Sequence, residues 1–352
     1  MKKEILEVLN ILENNGFEAY VVGGFTRDFY LGKISNDYDI CTNATPDIVM
    51  KLFNVLEEKH GSMKVSYQGI ICEITTYRIE FEYINRNPKI MYSEDLKVDL
   101  LRRDFTINTI CLNSEMEYID LYGGIDDLNK CIIKIVGNGL TKIKEDPLRV
   151  LRAIRFSTVL DFEIDNELDL LLSENSYLVK DLTYFRKKEE LDKIFTSNNI
   201  DKGINLLKKY LLDEYLEIDI HNIIPISDKS AMWAQINYSV KYQFSKQEKK
   251  EMEIIKTLLK TAEIGSYEIY RYGLKYCKKA AEIRKIDLNK IGELSNNLYI
   301  NKREDIDISI FDIKSNTSMN ISDVFILIEK AILEEKIRNN KNEIIKFISI
   351  IC

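Results

Sequence analysis

The sequence predicts an α+β protein in which a mixed α/β head comes first and a long all-helical part follows. Glycines and β-rich segments are concentrated towards the N-terminus, where residues 65–69 and 70–77 meet at a glycine, as in a hairpin. From about Ile143 onward only two prolines interrupt the chain, and apolar residues recur at helical spacing, as in Leu148, Leu151 and Ile154. The two sequence patterns therefore predict two kinds of architecture in one chain.

The length of the chain predicts more than one unit. At roughly 150 residues per domain, 352 residues correspond to two or three. We assign residues 1–140 to the head, 141–200 to a helical neck and 201–352 to a helical body and tail. The composition, 45% hydrophobic and 30% charged, excludes a collagen-like chain, a disordered protein and a small disulfide scaffold.

Charge and cysteine usage restrict the partners and the compartment. The net charge is −7, whereas a protein that coats nucleic acid would be basic, so any RNA binding must use local patches. Six scattered cysteines without a CxxC pair indicate free thiols in a reducing cytosol and argue against a zinc ribbon. No stretch approaches the roughly 18 uncharged apolar residues of a membrane span. We therefore expect a cytoplasmic protein that does not associate with membranes.

The head elements follow from local patterns. An opening helix carries Leu6, Val8, Leu9 and Leu12 as its buried stripe. The strand Ala19–Val22 ends at two glycines, a second strand surrounds residues 37–40, and a helix is expected from about Pro46 through Leu56. This order places a glycine turn and an acidic strand close together in the chain.

Two acidic residues form the strongest chemical signal. Asp37 and Asp39 are two apart, so on a strand both side chains point to one face, with Tyr38 on the other. Neighbouring carboxylates repel each other unless a cation lies between them, and Mg²⁺ prefers such hard oxygen ligands and shares them with substrate phosphates. Glu73, on another strand, could add a third carboxylate. The alternative is a solvated turn, because a DxD pattern alone is only a hypothesis.

The glycines before this pair predict a phosphate site. Gly23 and Gly24 leave backbone N–H groups unobstructed, and residues 26–28 would open a helix whose N-terminus, with Arg27 beside it, suits a triphosphate. Together with the acidic strand and the hairpin, this order closely resembles the layout of polymerase β-like nucleotidyltransferases.

Two further motifs narrow this resemblance. Residues 102–108 read RRDFTIN, and residues 145–156 read EDPLRVLRAIRF. In both motifs the chain resembles class II CCA-adding tRNA nucleotidyltransferases and bacterial poly(A) polymerases. The family's flexible loop is matched less closely, by Arg78, Glu80, Tyr83, Asn85, Arg86 and Pro88. In that loop Asn replaces the usual Asp, and Arg86 follows it directly instead of one residue later. The similarity runs from about Val21 to Phe195.

The resemblance implies a role for each matched residue. Asp37 and Asp39 would hold two Mg²⁺ ions with support from Glu73, and Gly23, Gly24 and Arg27 would position the triphosphate. Arg102 and Arg103 would hold the triphosphate or the ribose, while Asp104 and Asn108 would bind sugar hydroxyls. Alternatively, Arg103 and Asp104 only stabilise the fold. Arg152 and Arg155 extend the basic neck helix. Its positive electrostatic potential would act on both the nucleotide and the RNA end.

Asp146 and Arg149 have the chemistry to select a base. On one helix face, a carboxylate beside a guanidinium offers an acceptor next to donors. Cytosine and adenine present an amino donor beside a ring acceptor, and uracil and guanine present the opposite pattern. One Asp–Arg pair can therefore accept C and A and reject U and G, at roughly 1–3 kcal/mol per bidentate contact. The alternative is an intrahelical salt bridge, worth about 0.3–0.5 kcal/mol.

These observations favour template-independent addition of CCA to tRNA from CTP and ATP. A poly(A) polymerase shares every motif but tends to carry a basic C-terminal extension, and partial CC- or A-adding enzymes are further alternatives. A catalytically silent RNA-binding protein would have no reason to keep the Asp37–Asp39 pair. A second basic patch in residues 271–285, with Tyr272 and Tyr276, is either a tRNA contact or a solvated face. His60 and His221 lack metal-site spacing, and Trp233 is expected in a helical core.

Overall fold

The computed structural model describes residues 1–84 and 87–351, and the chain forms two compact units. The first comprises Met1–Ile194 and Asp201–Leu216, and the second comprises Phe195–Ile200 and the chain from Glu217 onward. The predicted class is confirmed: a sheet-containing N-terminal head and a mostly helical C-terminal part. The three-part division at residues 140 and 200 stays a prediction. Asn85 and Arg86 of the matched loop lie outside the described residues.

The head is built on a mixed seven-stranded sheet with the strand order β3-β4-β5-β2-β1-β8-β9. In it β2 and β5 run parallel, and the other neighbours run antiparallel. A separate hairpin joins β6 to β7. The strands are β1 (Ala19–Val22), β2 (Asp39–Thr42), β3 (Asn54–Lys59), β4 (Ser62–Tyr67), β5 (Ile70–Thr76), β6 (Arg78–Ile84), β7 (Asn87–Tyr92), β8 (Cys111–Leu112) and β9 (Tyr118–Ile119).

The predicted hairpin is present as β4 and β5, joined by a two-residue turn. Gln68 and Gly69 occupy the turn with φ of +45° and +82°, and Tyr67 pairs with Ile70 across it. Positive φ at both turn residues gives the twist that matches two paired strands. The second turn position is therefore one at which glycine is required for its backbone conformation.

Helices surround this sheet and continue the first unit. They are α1 (Lys3–Asn14), α2 (Gly24–Tyr30), α3 (Pro46–Leu52), α4 (Leu96–Leu101), α5 (Gly124–Asn129), α6 (Gly139–Glu145), α7 (Leu148–Leu160), α8 (Asn166–Asn175), α9 (Tyr184–Phe195), α10 (Ile200–Lys209) and α11 (Leu212–Leu216). In α1 the buried face is Ile5, Val8, Leu9 and Leu12, so Ile5 takes the place predicted for Leu6. These side chains share one core with the strand residues Val21, Ile40 and Ile74.

Three details of the predicted elements were wrong. α3 ends at Leu52 instead of Leu56, because the next residues form β3 and pair with β4, a contact that no local pattern reveals. α2 begins at Gly24, two residues before the predicted start. The part predicted as all-helical contains β11 (Glu163–Ile164), which pairs with β10 (Ile132–Ile133), and β12 (Ile218–Asp219), which pairs with β13 (Asn237–Tyr238).

The second unit is helical apart from the short β12–β13 pair. Its helices are α12 (Lys229–Gln235), α13 (Lys246–Lys260), α14 (Ser266–Tyr272), α15 (Leu274–Ile283), α16 (Leu288–Asn296), α17 (Ile310–Asn316), α18 (Ile321–Leu333) and α19 (Lys341–Ile351). Trp233 lies buried on α12, as predicted, with its ring 5.1–5.5 Å from those of Phe195, Tyr238, Tyr242 and Phe244. Within the described ranges, no helix is long and apolar enough to cross a membrane.

The aromatic cluster around Trp233 predicts a large stability effect. We expect Trp233→Ala to lower the free energy of unfolding by about 3–5 kcal/mol, because a buried indole and its ring contacts are lost together. Phe311→Ala is the control, since Phe311 is 77% exposed and its removal should change stability by no more than about 0.5 kcal/mol. Urea unfolding followed by circular dichroism measures both, and equal losses would contradict the assignment of Trp233 to the core.

Candidate active site in the head unit

The first unit contains a polar cavity of about 540 Å³. Every predicted site residue except Glu73 lines it: Gly23, Gly24, Arg27, Asp37, Asp39, Arg102, Arg103, Asp104, Asn108, Asp146, Arg149, Arg152 and Arg155. The lining also includes residues for which no site role was predicted, among them Asp28, Glu80, Phe156 and Arg186. Residues far apart in sequence thus meet at one concave surface, which is the usual form of a ligand site.

The acidic pair lies where β2 begins. The strand starts at Asp39. The sequence predicted Asp37 within this strand, but Asp37 precedes it. The alternation nevertheless holds: Tyr38 is buried with its ring 4.4 Å from that of Phe25, and both aspartates line the cavity. Glu73 on β5 pairs with Asp39 in the parallel register. Its carboxylate accepts a hydrogen bond from Ser62 and lies in an adjacent cavity that also contains Asp37.

Gly23 closes the turn beside this pair. Its φ of +81° is a conformation that residues with a side chain rarely adopt. A Cβ at this position would lie 3.4 Å from Asp39 Oδ2 and 3.6 Å from Arg103 Nη1. Glycine is therefore favoured here by the backbone turn, whereas a Cβ would make only ordinary van der Waals contacts with the carboxylate and the guanidinium.

The electrostatics of Asp39 indicate a concentration of negative charge. The pKa of Asp39 is raised to about 6, chiefly by burial and also by the neighbouring Asp37 and Glu73 carboxylates, while Arg103 opposes the rise. In the described part of the chain no group of three or more His, Cys, Asp or Glu side chains is arranged to hold a metal ion. The oxygen pair still fits a hard divalent cation, because such an ion would favour the ionised form that the surroundings now disfavour.

Asp99 holds the two neighbouring arginines. This fully buried carboxylate, in the first turn of α4, accepts from Arg102 Nε at 2.8 Å and pairs with Arg103 Nη2 at 3.5 Å. Arg102 also lies 3.4 Å from Glu80, which pairs with Arg78 at 2.8 Å. The start of the matched loop is therefore linked by charge to the RRD segment.

Asp104 organises the opposite wall of the cavity. Its Oδ2 accepts from Arg152 Nε at 2.6 Å, and its Oδ1 accepts from the Phe105 N–H at 2.8 Å and from Asn108 Nδ2 at 3.0 Å. Asn108 Oδ1 in turn accepts from Arg27 Nη1 at 2.8 Å. One chain of hydrogen bonds thus connects α2, the RRDFTIN segment and α7.

Three guanidinium groups surround one aromatic ring. The Cζ atoms of Arg155, Arg27 and Arg152 lie 4.0, 5.2 and 5.3 Å from the centroid of Phe156. Such cation–π contacts are worth about 0.5–2 kcal/mol each. Arg155 Nε also lies 2.9 Å from Glu190 on α9. The ring therefore keeps several like charges close together at the cavity wall.

The predicted placement of Asp146 and Arg149 on one helix face was wrong. Asp146 is not on the helix: it follows α6 in extended conformation, and α7 begins after Pro147. Arg186 on α9 holds the Asp146 carboxylate through both Nη atoms, at 3.1 and 2.7 Å. Arg149 instead donates to the backbone carbonyls of Lys142 and Arg102, at 2.5 and 3.2 Å, and lies 3.6 Å from Glu145. Both predicted base-selecting groups still line the cavity.

Arg186 is the main site residue for which the sequence reasoning predicted no role. It lies forty residues after Asp146, near the end of the part of the chain that resembles the family. Its signal was an arginine at the start of an amphipathic helix, a feature that is common on solvated surfaces. Only the packing of α9 beside the cavity distinguishes it.

The second basic patch, in residues 271–285, is partly occupied by the protein itself. Lys279 pairs with Asp228 at 2.6 Å, Lys275 lies 3.9 Å from Glu251, and Arg284 donates to carbonyls at the end of α13. Tyr272 and Tyr276 pack against the apolar cluster of α13–α16. These contacts reduce the charge and the ring surface that are free for RNA.

The Asp104 network predicts a pH-dependent contribution to stability. Burial disfavours ionisation, but Arg152 and hydrogen bonds from Asn108, Arg152 and the Phe105 N–H outweigh it and lower the pKa to about 2. Because the folded-state pKa lies below the ordinary value, this stability is present above about pH 4 and is lost as the pH falls towards 2. We expect Asp104→Asn to destabilise the protein at pH 7 by about 2 kcal/mol, and by less at pH 3.

Urea unfolding at pH 7, 4 and 3 measures this difference. The control is Glu115→Gln, at an exposed loop position, where the free energy of unfolding should change by less than about 0.5 kcal/mol at any of these pH values. An Asp104→Asn effect that is constant from pH 7 to pH 3 would show that the network does not depend on the ionised carboxylate.

The chain is similar to known proteins over nearly its whole length. Residues 19–134 match the family model of the poly A polymerase head domain, and residues 161–220 match that of the probable RNA and SrmB-binding site of polymerase A. The chain is 30% identical to the CCA-adding enzyme of Staphylococcus haemolyticus (strain JCSC1435) over 97% of this chain and 96% of that protein. It is 28% identical to the CCA-adding enzyme of Bacillus cytotoxicus over 96% and 95% of the two chains.

The fold is similar to solved structures of such enzymes. The Bacillus stearothermophilus CCA-adding enzyme in complex with CTP matches with a TM-score of 0.84 and 22% identity, covering 99% of this chain and 97% of that one. With its sequence relatives matched over nearly their whole length, the chain belongs to the CCA-adding enzyme family.

Proposed function

We propose that this protein adds the sequence CCA to the 3′ end of tRNA, using CTP and ATP and no nucleic-acid template. The observation that supports this most is that one cavity combines an acidic pair, several arginines and two groups with the donor and acceptor pattern for reading a base. The curated relatives carry the CCA-adding name, which does not favour a poly(A) polymerase. The free cysteines support a reducing cytoplasmic setting.

Asp37 and Asp39 are the proposed ligands of Mg²⁺, with Glu73 beside Asp39 as support. A bound Mg²⁺ would lower the pKa of the RNA 3′-hydroxyl and neutralise charge on the departing pyrophosphate. The residues themselves contribute placement. Arg103 lies against Asp39 and reduces repulsion within the acidic group, and Gly23 allows the triphosphate to approach without a side chain in the way.

Arg27, Arg102, Arg152 and Arg155 are the proposed partners of the phosphates and the sugar. Asp104 and Asn108 already make hydrogen bonds with Arg152 and Arg27. We therefore assign them to positioning these guanidinium groups, in place of direct binding of sugar hydroxyls. This assignment favours the structural alternative for Asp104. The arginines are then the groups that contact the nucleotide.

Base selection is assigned to Asp146 and Arg149, each oriented by other groups. Arg186 donates two hydrogen bonds to the Asp146 carboxylate, and Arg149 donates to peptide carbonyls. A carboxylate can accept about four hydrogen bonds, so Asp146 retains capacity for the amino group of cytosine or adenine. Because neither group needs the other for its orientation, both can face the base together.

The metal proposal is tested with Asp39→Asn. We expect the rate of CMP addition to fall by about 10³-fold or more, because metal stabilisation of the transition state is worth several kcal/mol, while binding of tRNA stays within about twofold. Asp126→Asn, at an exposed position in α5, is the control and should retain full activity. Near-normal turnover in Asp39→Asn would remove Asp39 from the catalytic group.

Arg186 is tested as a positioning residue for base selection. We expect Arg186→Ala to reduce the preference for CTP over UTP by about tenfold, because a freely rotating Asp146 loses roughly 1–3 kcal/mol of bidentate discrimination. Arg186→Lys should recover only part of it, since a single ammonium cannot form the two-point contact. The measurement is kcat/KM for each nucleotide, and an equal loss for CTP and UTP would indicate a general structural role.

The reaction itself is tested by sizing the product made from tRNA that lacks CCA, in the presence of CTP and ATP. Addition of three nucleotides is expected. Long adenosine tails would identify a poly(A) polymerase, and arrest after two cytidines would identify a partial enzyme.

A further inference from the structure

A second cavity of about 540 Å³ adjoins the first in the head unit. Asp37 lines both cavities, so they meet at the acidic pair. A transfer reaction needs two substrates that approach the same reactive centre from different sides. Because the first cavity contains the proposed base-selecting groups, the second is available for the other substrate.

The second cavity lies on the sheet face that carries Asp39. Glu57 pairs with Lys64 across β3 and β4, Lys64 pairs with Glu73 across β4 and β5, and Glu73 pairs with Asp39 across β5 and β2. Residues in register on neighbouring strands point to the same face. A row of charged side chains therefore runs from the acidic pair to the outer strand of the sheet.

Two lysines in this cavity are free to meet an anion. Lys59 and Lys64 are exposed, and among the residues that the structure describes neither has a salt-bridge partner. Arg78 is different, because it pairs with Glu80 and donates to the His60 carbonyl at 2.7 Å. Ile71, two residues before Glu73 on the same face of β5, is 52% exposed and offers an apolar surface beside the lysines.

We propose that this second cavity binds the 3′-terminal ribose–phosphate backbone of the RNA acceptor, with Lys59 and Lys64 contacting its phosphates. The inference rests on the proposed function, since it identifies where that reaction's RNA end enters. Lysines at the outer strands would contact the backbone, Ile71 would contact a sugar or base, and the terminal hydroxyl would reach Asp37 and Asp39. The row of paired strands supplies the direction of approach.

The competing explanation is that the lysines only neutralise Glu57 and Glu73. Formal charges in the lining balance, since Asp37, Glu57 and Glu73 face Lys59, Lys64 and Arg78. The two explanations differ in a measurable way. Contact with phosphates makes RNA binding depend on salt, whereas neutralisation of carboxylates affects the stability of the fold.

The test is the double variant Lys59→Gln with Lys64→Gln, which keeps long polar side chains and removes both charges. We expect the KM for tRNA lacking CCA to rise about tenfold and the KM for CTP to stay within about twofold. The slope of log K for tRNA binding against log salt should fall in magnitude by about 1.4, the value for two contacts to single-stranded RNA. The control is Lys51→Gln with Lys130→Gln, two exposed lysines of the head that line neither cavity.

Several outcomes would overturn the proposal. These are an unchanged tRNA KM and salt slope, a rise in the KM for CTP instead, or a loss of thermal stability with unchanged tRNA affinity. Filter binding of tRNA without nucleotide separates this inference from the proposed function. If the wild type adds no nucleotides, the proposed function fails, whereas the binding comparison still decides the role of the lysines.

Discussion

The repulsion among Asp37, Asp39 and Glu73 is the constraint on which the head unit depends. The register of β2 and β5 places Asp39 beside Glu73, and burial together with the two neighbouring carboxylates raises the pKa of Asp39 to about 6. An arrangement of this kind lowers stability unless cations balance it. Arg103 opposes part of this effect, and the proposed divalent ion would supply further compensation.

The surrounding arginines form ion pairs with carboxylates other than the acidic pair. Arg103 and Arg102 are held by Asp99, Arg152 by Asp104, and Arg155 by Glu190. Each of these guanidinium groups therefore pairs with a carboxylate other than Asp37 and Asp39, and Arg102 and Arg103 share Asp99. The stack around Phe156 adds a second restraint on Arg27, Arg152 and Arg155. These partners restrain the positive side chains that line the cavity.

The two proposed base-selecting residues show that proximity in sequence does not determine which partners orient a side chain. Asp146 and Arg149 are three residues apart, yet they belong to different backbone segments separated by Pro147. Arg186 and two peptide carbonyls orient them independently. The two groups therefore do not depend on each other for their orientation.

The sequence by itself determined the features that depend on near neighbours in the chain. These include the glycine at the turn before Asp39, the alternation that separates Tyr38 from the aspartates, the β4–β5 hairpin and the helical periodicity of α7. Only the tertiary structure decided that Arg186 is the partner of Asp146, that Arg152 holds Asp104, and that α3 ends at Leu52 so that β3 can pair. Local spacing sets backbone conformation and the face a side chain occupies. Ion pairs between residues 40 or more positions apart depend on how whole elements pack. The same residue types on a solvated helix would give the same local sequence pattern, so that pattern does not reveal the ion pair.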